Sequence, residues 1–217
     1  MQIIWKGHSC FQVLVARAKQ EQVKIVIDPY DESVGFRVPA MEADILLITH
    51  DHKDHSNAKA VKGDPFLISN PGEYEVKEVF MKGVSSFHDD ANGDARGHNT
   101  IYTIEAEDIR ICHLGDLGQQ ELTPRQLEEI GNVHIACVPV GGEYTIGPRE
   151  ASKIVRQIDP RIVIPMHYAL LKNPLKLGGV EEFLKAMGAR PSEPQQKLIV
   201  KAKDLEGEDT QVVVLTP

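Results

Sequence analysis

Apolar and polar positions alternate at period two near the start of the chain. Phe11-Gln12-Val13-Leu14-Val15 and Val23-Lys24-Ile25-Val26-Ile27 read as strands, because successive side chains of an extended backbone point to opposite faces. Residues 2–16 and 23–27 are therefore a predicted meander, with its turn at Lys19-Gln20-Glu21-Gln22, and residues 29–43 have no period and read as a loop. After Asp44, Ile45-Leu46-Leu47-Ile48 is an unbroken apolar run of the length of a buried strand. One or two helical turns are expected over Asn57–Lys62 and a strand at Phe66-Leu67-Ile68. The turn signal Asn70-Pro71-Gly72 then leads into a hairpin over 74–87. A polar loop from Asp89 to Gly97 precedes a second hairpin, Thr100–Glu105 and Ile109–Leu114, around Glu107-Asp108.

From residue 123 the rhythm changes to strand and helix. Thr123-Pro124-Arg125-Gln126 opens a helix with Thr as N-cap, Pro at N1 and Gln at N3, and Gly131 closes it. A strand over Val133–Val138 and a glycine-rich loop, Pro139–Gly147, lead to a helix from Pro148 in which Ala151, Ile154, Val155 and Ile158 share one face. Ile162-Val163-Ile164-Pro165 is a strand that runs into Met166-His167-Tyr168. A last helix presents Val180, Phe183, Leu184 and Met187, with Gly188 as its cap, and residues 196–202 and 210–215 are expected as closing strands. No repeat, low-complexity tract or linker divides residues 1–217, so the chain reads as one α/β domain. Amphipathic helices need sheet faces to cover, a condition met both by two packed mixed sheets and by a single mixed sheet.

Composition narrows the class of partner. A net charge of −8 argues against a broad nucleic-acid surface, since phosphate binding draws on clustered Lys and Arg. No segment approaches membrane-spanning length and the N-terminus lacks a signal-peptide pattern, which makes the cytoplasm the expected compartment and membrane contact unexpected. Cys10, Cys112 and Cys137 are odd in number and sit in apolar runs, as small buried residues of a reducing compartment do. The oligomeric state stays open, a homo-oligomer included.

The candidate chemistry is concentrated at Thr49-His50-Asp51-His52-Lys53-Asp54-His55, directly after the apolar run. Imidazole nitrogen and carboxylate oxygen are the usual donors to zinc. His50 and His52, two apart, would point the same way toward one metal, and Asp54 and His55 are placed for a second. Three later apolar strands also end in His or Asp, at His88, Asp116 and His167. Asp28 ends a strand too, and reads either as a carboxylate that orients a histidine or as the start of a turn at Pro29.

The pattern His-x-His-x-Asp-His resembles the signature of the metallo-β-lactamase superfamily. The resemblance implies a four-layer αββα sandwich of two mixed sheets and so selects between the two architectures. It further implies that His50, His52 and His88 hold one divalent ion and that Asp54, His55 and His167 hold another. Asp116 would bridge them, and Asp54 and Asp116 would be the catalytic carboxylates. His98 and His113 are rivals for the place of His88. The pieces Gly7-His8-Ser9-Cys10, Gly115-Asp116-Leu117-Gly118, Gly141-Gly142-Glu143-Tyr144-Thr145 and Pro165-Met166-His167-Tyr168 resemble a branch of zinc-dependent hydrolases related to the ascorbate-6-phosphate lactonase. His8, Asp28, His113, Tyr144 and Tyr168 are further candidates for contacts to substrate or to the ligands, with ordinary structural hydrogen bonds as the alternative for His8 and His113.

The implied activity is hydrolysis of a small, anionic ester, lactone or phosphoester by a hydroxide between two ions, zinc before manganese or iron. The alternatives are a nuclease resembling ribonuclease Z and a non-catalytic metal-binding protein of the same fold.

Overall fold

The structure, a computed structural model, describes residues 1–17, 21–170, 175–189, 193–207 and 209–217. In chain order its strands are β1 (Gln2–Trp5), β2 (Phe11–Ala16), β3 (Gln22–Ile27), β4 (Met41–Glu42), β5 (Ile45–Leu47), β6 (Val61–Lys62), β7 (Phe66–Ile68) and β8 (Gly72–Val76). They continue with β9 (Val79–Phe87), β10 (His98–Ala106), β11 (Ile109–His113), β12 (Ile135–Pro139), β13 (Ile162–Met166), β14 (Leu198–Ile199) and β15 (Gln211–Val212). Helices α1 (Pro124–Ile130), α2 (Pro148–Ile158) and α3 (Val180–Met187) all lie in the second half.

Two large mixed sheets result, ordered β14-β1-β2-β3-β5-β7 and β15-β13-β12-β11-β10-β9-β8. The period-two pattern of the first is resolved by burial on two different cores. Phe11, Val13, Ile25, Ile27, Ile45 and Leu47 face the core shared with the second sheet. Their neighbours Val26 and Leu46 turn outward onto a smaller cluster with Tyr30, Val34 and Met41 from the loop after β3. That loop and its 3-10 turn, Glu32–Val34, therefore cover the outer face where the αββα arrangement would place a helix. On the second sheet α1 packs against β9, and α2 packs against β12 and α3.

Local chemistry accounts for the element ends. Thr123 and Gln126 form the expected capping box, and the αL residues Asp159 and Gly188 close α2 and α3. The hairpin turns fall at Lys77-Glu78 and Glu107-Asp108, both pairs at positive φ. The turn expected between β2 and β3 lies partly outside the described residues.

Two expectations are corrected. Asn57–Lys62 is a 3-10 turn followed by the two-residue β6 rather than a helix. The closing strands shrink to Leu198–Ile199 and Gln211–Val212, with a 3-10 turn at Ala202–Leu205 between them. At the end of the chain the backbone changes partner. Val213 N–H donates to Val163 O of β13, whereas Val214 O accepts from Gln195 N–H, so no long ladder forms.

Candidate metal centre

Every strand that feeds the site ends on the same rim. β5 leads to Thr49 and His50, β9 to His88, β11 to Asp116 and β13 to His167. Parallel pairing keeps these ends level: β3 with β5 in one sheet, and β11, β12 and β13 in the other. Tyr102 Oη, buried between the sheets, donates to Ile48 O at 3.1 Å and so ties β10 to the strand end that carries His50. Three of the residues that turn into the site, His8, Asp28 and His167, have positive φ (54°, 46° and 53°). For L-residues this left-handed backbone costs roughly 1–2 kcal/mol each, and such strain collects where function dictates the geometry.

The structure brings all seven proposed ligands together. His50 Nε2 and His52 Nδ1 are 3.1 Å apart, and His88 completes a triad whose donor atoms lie within 4.8 Å of one another. Asp54, His55 and His167 form a second group of the same size, which His8 joins. Asp116 Oδ2 is the hub of the two. It is 3.1 Å from His55 Nε2, 3.2 Å from His167 Nε2 and 3.5 Å from His88 Nε2. From behind, Ser9 Oγ donates to Asp116 Oδ1 (3.3 Å), and Asn99 Oδ1 accepts from the Asp116 N–H (3.0 Å).

Hydrogen bonding decides which imidazoles have a lone pair to offer. Asp28 is fully buried and accepts from Thr49 N–H, Thr49 Oγ1–H and His55 Nδ1–H at 2.8, 2.7 and 3.0 Å. With Nδ1 held by Asp28, His55 turns Nε2 into the site, 3.1 Å from Asp116 Oδ2 and 3.8 Å from Asp54 Oδ2, where a metal ion would take the place of the proton. The one hydroxyl proton of Thr49 goes to Asp28, so at 3.0 Å its oxygen accepts from His50 Nδ1–H, and His50 Nε2 also points into the site as a lone pair. Holding the far ring nitrogen in this way is how proteins fix the tautomer of a metal-binding histidine.

His113 is the opposite case. Its Nδ1 accepts from Gly115 N–H, so Nε2 must carry the proton it donates to Ser9 O at 2.9 Å. Both nitrogens are used and none is left for a metal. His98, the other rival, is exposed on β10 with its ring against Phe87, 5.6 Å between centroids. His8 bonds Asp54 through Nε2 (3.2 Å) and leaves Nδ1 buried without a partner. Tyr144 lines a cavity next to His88. Tyr168 is placed differently from its expected role: its ring packs on Trp5 in the core, 5.1 Å between centroids, and it lines none of the cavities around the site.

The electrostatics favour a cation at the centre. Burial pushes His50 down to about 3 and His8 down to about 4, and lowers His88 as well, so these rings are neutral donors. Burial opposes charge on His55 too, but Asp116 and Asp28 on either side hold its pKa well above the ordinary value. Burial alone would raise Asp116, yet His167 and His55 keep its carboxyl well below the usual range. A buried carboxylate faced by Nε2 of His55, His88 and His167, with donor atoms of all the candidate ligands gathered in groups within 4.8 Å, is a donor set that fits divalent metal.

Ser9, Thr49 and Asn99 act behind the ligands, and no sequence signal assigns them these roles. Each is a common polar residue beside a ligand in sequence or across a strand, and only the fold aims its donor or acceptor at a particular atom.

Comparison with known proteins places this site in a family. The model of the β-lactamase superfamily domain matches residues 2–167, which span all the candidate ligands. A UPF0173 protein of Pyrococcus furiosus is 32% identical over 230 aligned residues, covering 95% of this chain and 97% of its own. A UPF0173 metal-dependent hydrolase of Thermococcus onnurineus is 30% identical, covering 84% and 90%. The crystal structure of a candidate Zn-dependent hydrolase of the metallo-β-lactamase superfamily from Thermotoga maritima is 36% identical, with a TM-score of 0.78 over 99% of this chain and 97% of that one. Igni18, a metallo hydrolase of Ignicoccus hospitalis, shares the fold at 20% identity and a TM-score of 0.65, covering 100% and 95%. The two mixed sheets, the rim of histidines and aspartates and these likenesses together make the chain a member of the metallo-β-lactamase superfamily, within its UPF0173 metal-dependent hydrolase family.

Proposed function

We propose that the protein is a dinuclear, zinc-dependent hydrolase of a small anionic ester, lactone or phosphoester, acting in the cytoplasm. The observation that carries this reading is the position of Asp116 Oδ2, 3.1–3.5 Å from imidazoles of both ligand groups. A carboxylate oxygen so placed can serve two ions at once. His50, His52 and His88 would hold one ion and Asp54, His55 and His167 the other. Bound there, such ions would supply Lewis acidity toward a substrate oxygen and would make water acidic enough to act as hydroxide near neutral pH.

The remaining work falls to the chain. Asp28 and Thr49 fix the tautomers of His55 and His50, and Ser9 and Asn99 hold Asp116 in place. Asp54 is the only partly exposed carboxylate of the set, its side chain 28% accessible. Burial would raise its pKa, but the hydrogen bond from His8 and the charge of His55 keep it below the usual range. Asp54 therefore orients an attacking water by accepting its hydrogen bond at Oδ1, the oxygen His8 leaves free, and does not store the proton.

The test compares zinc-loaded and chelator-stripped protein on a phosphodiester, a phosphomonoester, a lactone, a thioester, a β-lactam and a structured RNA. Metal-dependent turnover of a small ester, lactone or phosphodiester is expected, with little of the RNA. A net charge of −8 disfavours binding of a polyanion, which draws on many cationic contacts. Salt-sensitive RNA cleavage would overturn the substrate class, and activity undiminished in stripped protein would overturn the metal mechanism.

A further inference from the structure

Two cavities reach the His50-His52-His88 triad, and their linings differ in charge. The first, of about 550 Å³, is lined by His50 and His52 and by Ser69, Ser85, Arg96 and His98, with Asp51 as its one acidic residue. The second, of about 360 Å³, is reached by His88 and lined by Asp89, Asp90, Glu143 and Glu150. Arg96 lines both.

Arg96 stands between the two cavities and is held from the side of the second, to which Asp89, Glu143 and Tyr144 belong. Its backbone N–H donates to Asp89 Oδ2 (2.6 Å), and the Asp89 carboxylate also accepts from Ala91, Gly93 and Ala95, which ties the 89–97 loop around it. The guanidinium sits over the Tyr144 ring, 5.0 Å from its centroid, and donates through Nη2 to Glu143 O at 3.3 Å. Among the described residues no carboxylate makes an ion pair with it. Of five N–H donors in a planar fork, one is engaged among the described residues. Such a fork matches the two oxygens of a phosphate or carboxylate, and its anchoring lowers the entropy lost on binding.

We propose that the cavity beside His50 and His52 is the subsite for an oxyanion at the non-reacting end of the substrate, with Arg96 as its anchor. The cavity lined by Glu143 and Glu150 repels that charge, so the substrate enters in one orientation. This rests on the metal-centre reading in that the triad marks where the reacting end lies.

The experiment is calorimetric titration of zinc-loaded full-length protein with inorganic phosphate and, separately, with acetate. Arg96→Gln, Arg96→Lys and Glu150→Gln are carried in parallel, and zinc content is measured on every sample. One oxyanion should bind, and whichever binds tighter identifies the class as phosphate or carboxylate. Arg96→Gln should weaken it at least tenfold at unchanged zinc content, Arg96→Lys should fall between, and Glu150→Gln should leave it unchanged or tighter. Equal affinity in Arg96→Gln, or no binding of either anion by the unsubstituted protein, would overturn the subsite. Binding that vanishes on stripping zinc and ignores Arg96 would place the anion on the metals, which overturns the subsite and leaves the metal centre intact. Arg96-dependent binding by protein that takes up no zinc would do the reverse.

Discussion

Asp28 has no solvent exposure, and its carboxylate has three protein donors, so removing it strands all three. Breaking a buried charged pair costs about 3–5 kcal/mol, and losing the partner behind a ligand histidine weakens metal binding by about 10–100-fold. Asp28→Ala should show both effects, in urea unfolding of stripped protein and in competition for zinc against a chelating dye. An unchanged midpoint with unchanged zinc affinity would remove Asp28 from its role. The tautomers make a second distinction. His88→Ala should lower metal stoichiometry and His98→Ala should leave it intact. His113→Gln should keep both metals while unfolding more readily, because His113 bonds Ser9 and Gly115 and offers no lone pair. Loss of a metal from His98→Ala with both retained by His88→Ala would reverse the assignment.

The loop after β11 must pass against the end of β9, and glycine lets it do so. Gly118 N–H donates to Phe87 O at 2.9 Å, and a Cβ at Gly118 would stand 2.3 Å from the carbonyl carbon of His88. That neighbour is backbone and cannot swing aside. Gly118→Ala should therefore displace His88 relative to Asp116 and reduce zinc occupancy in elemental analysis, although the residue touches no metal itself. The cap of α1 is the matching control. Thr123→Ala removes the capping box and should cost about 1 kcal/mol in unfolding free energy with zinc content unchanged. If Gly118→Ala bound zinc as fully as Thr123→Ala, close approach of these loops would not be what positions the triad.

Both sheets contribute to the centre, so bound metal should hold them together. His50, His52 and His55 follow the first sheet, whereas His88, Asp116 and His167 follow the second. A ligand that binds only the folded state stabilises it by about 4 kcal/mol at a thousandfold excess over its dissociation constant. For a chain of this size each kcal/mol is worth about 2–4 °C, so zinc should raise the melting temperature of stripped protein by about 10 °C. Equal melting temperatures with and without zinc would mean that zinc does not bind the folded chain in preference to the unfolded one. Among the described residues no helix is long and apolar enough to cross a membrane.

What the sequence alone determined was local. Alternation marked β2 and β3, Thr123 and Gln126 marked the start of α1, and His50 to His55 are neighbours whose spacing displays their chemistry directly. A strand or a cap is legible because the residues that decide it lie within a few positions of one another. The tertiary structure decided what depends on distant partners. His88 and His113 are both histidines at strand ends, and they differ because Ser9, from the turn between β1 and β2, accepts the proton of one of them. Tyr168 follows a ligand in sequence, yet Trp5 draws its ring into the core. The closing strands are shorter than β-propensity predicts, because the backbone changes partner at Val213 and Val214. Arg96 is one basic residue among 24 in the sequence, and it becomes distinctive only where the fold sets it between two cavities of unlike charge. Hydrogen-bond direction, burial and close approach are relations between segments, so they exist only once the chain has folded.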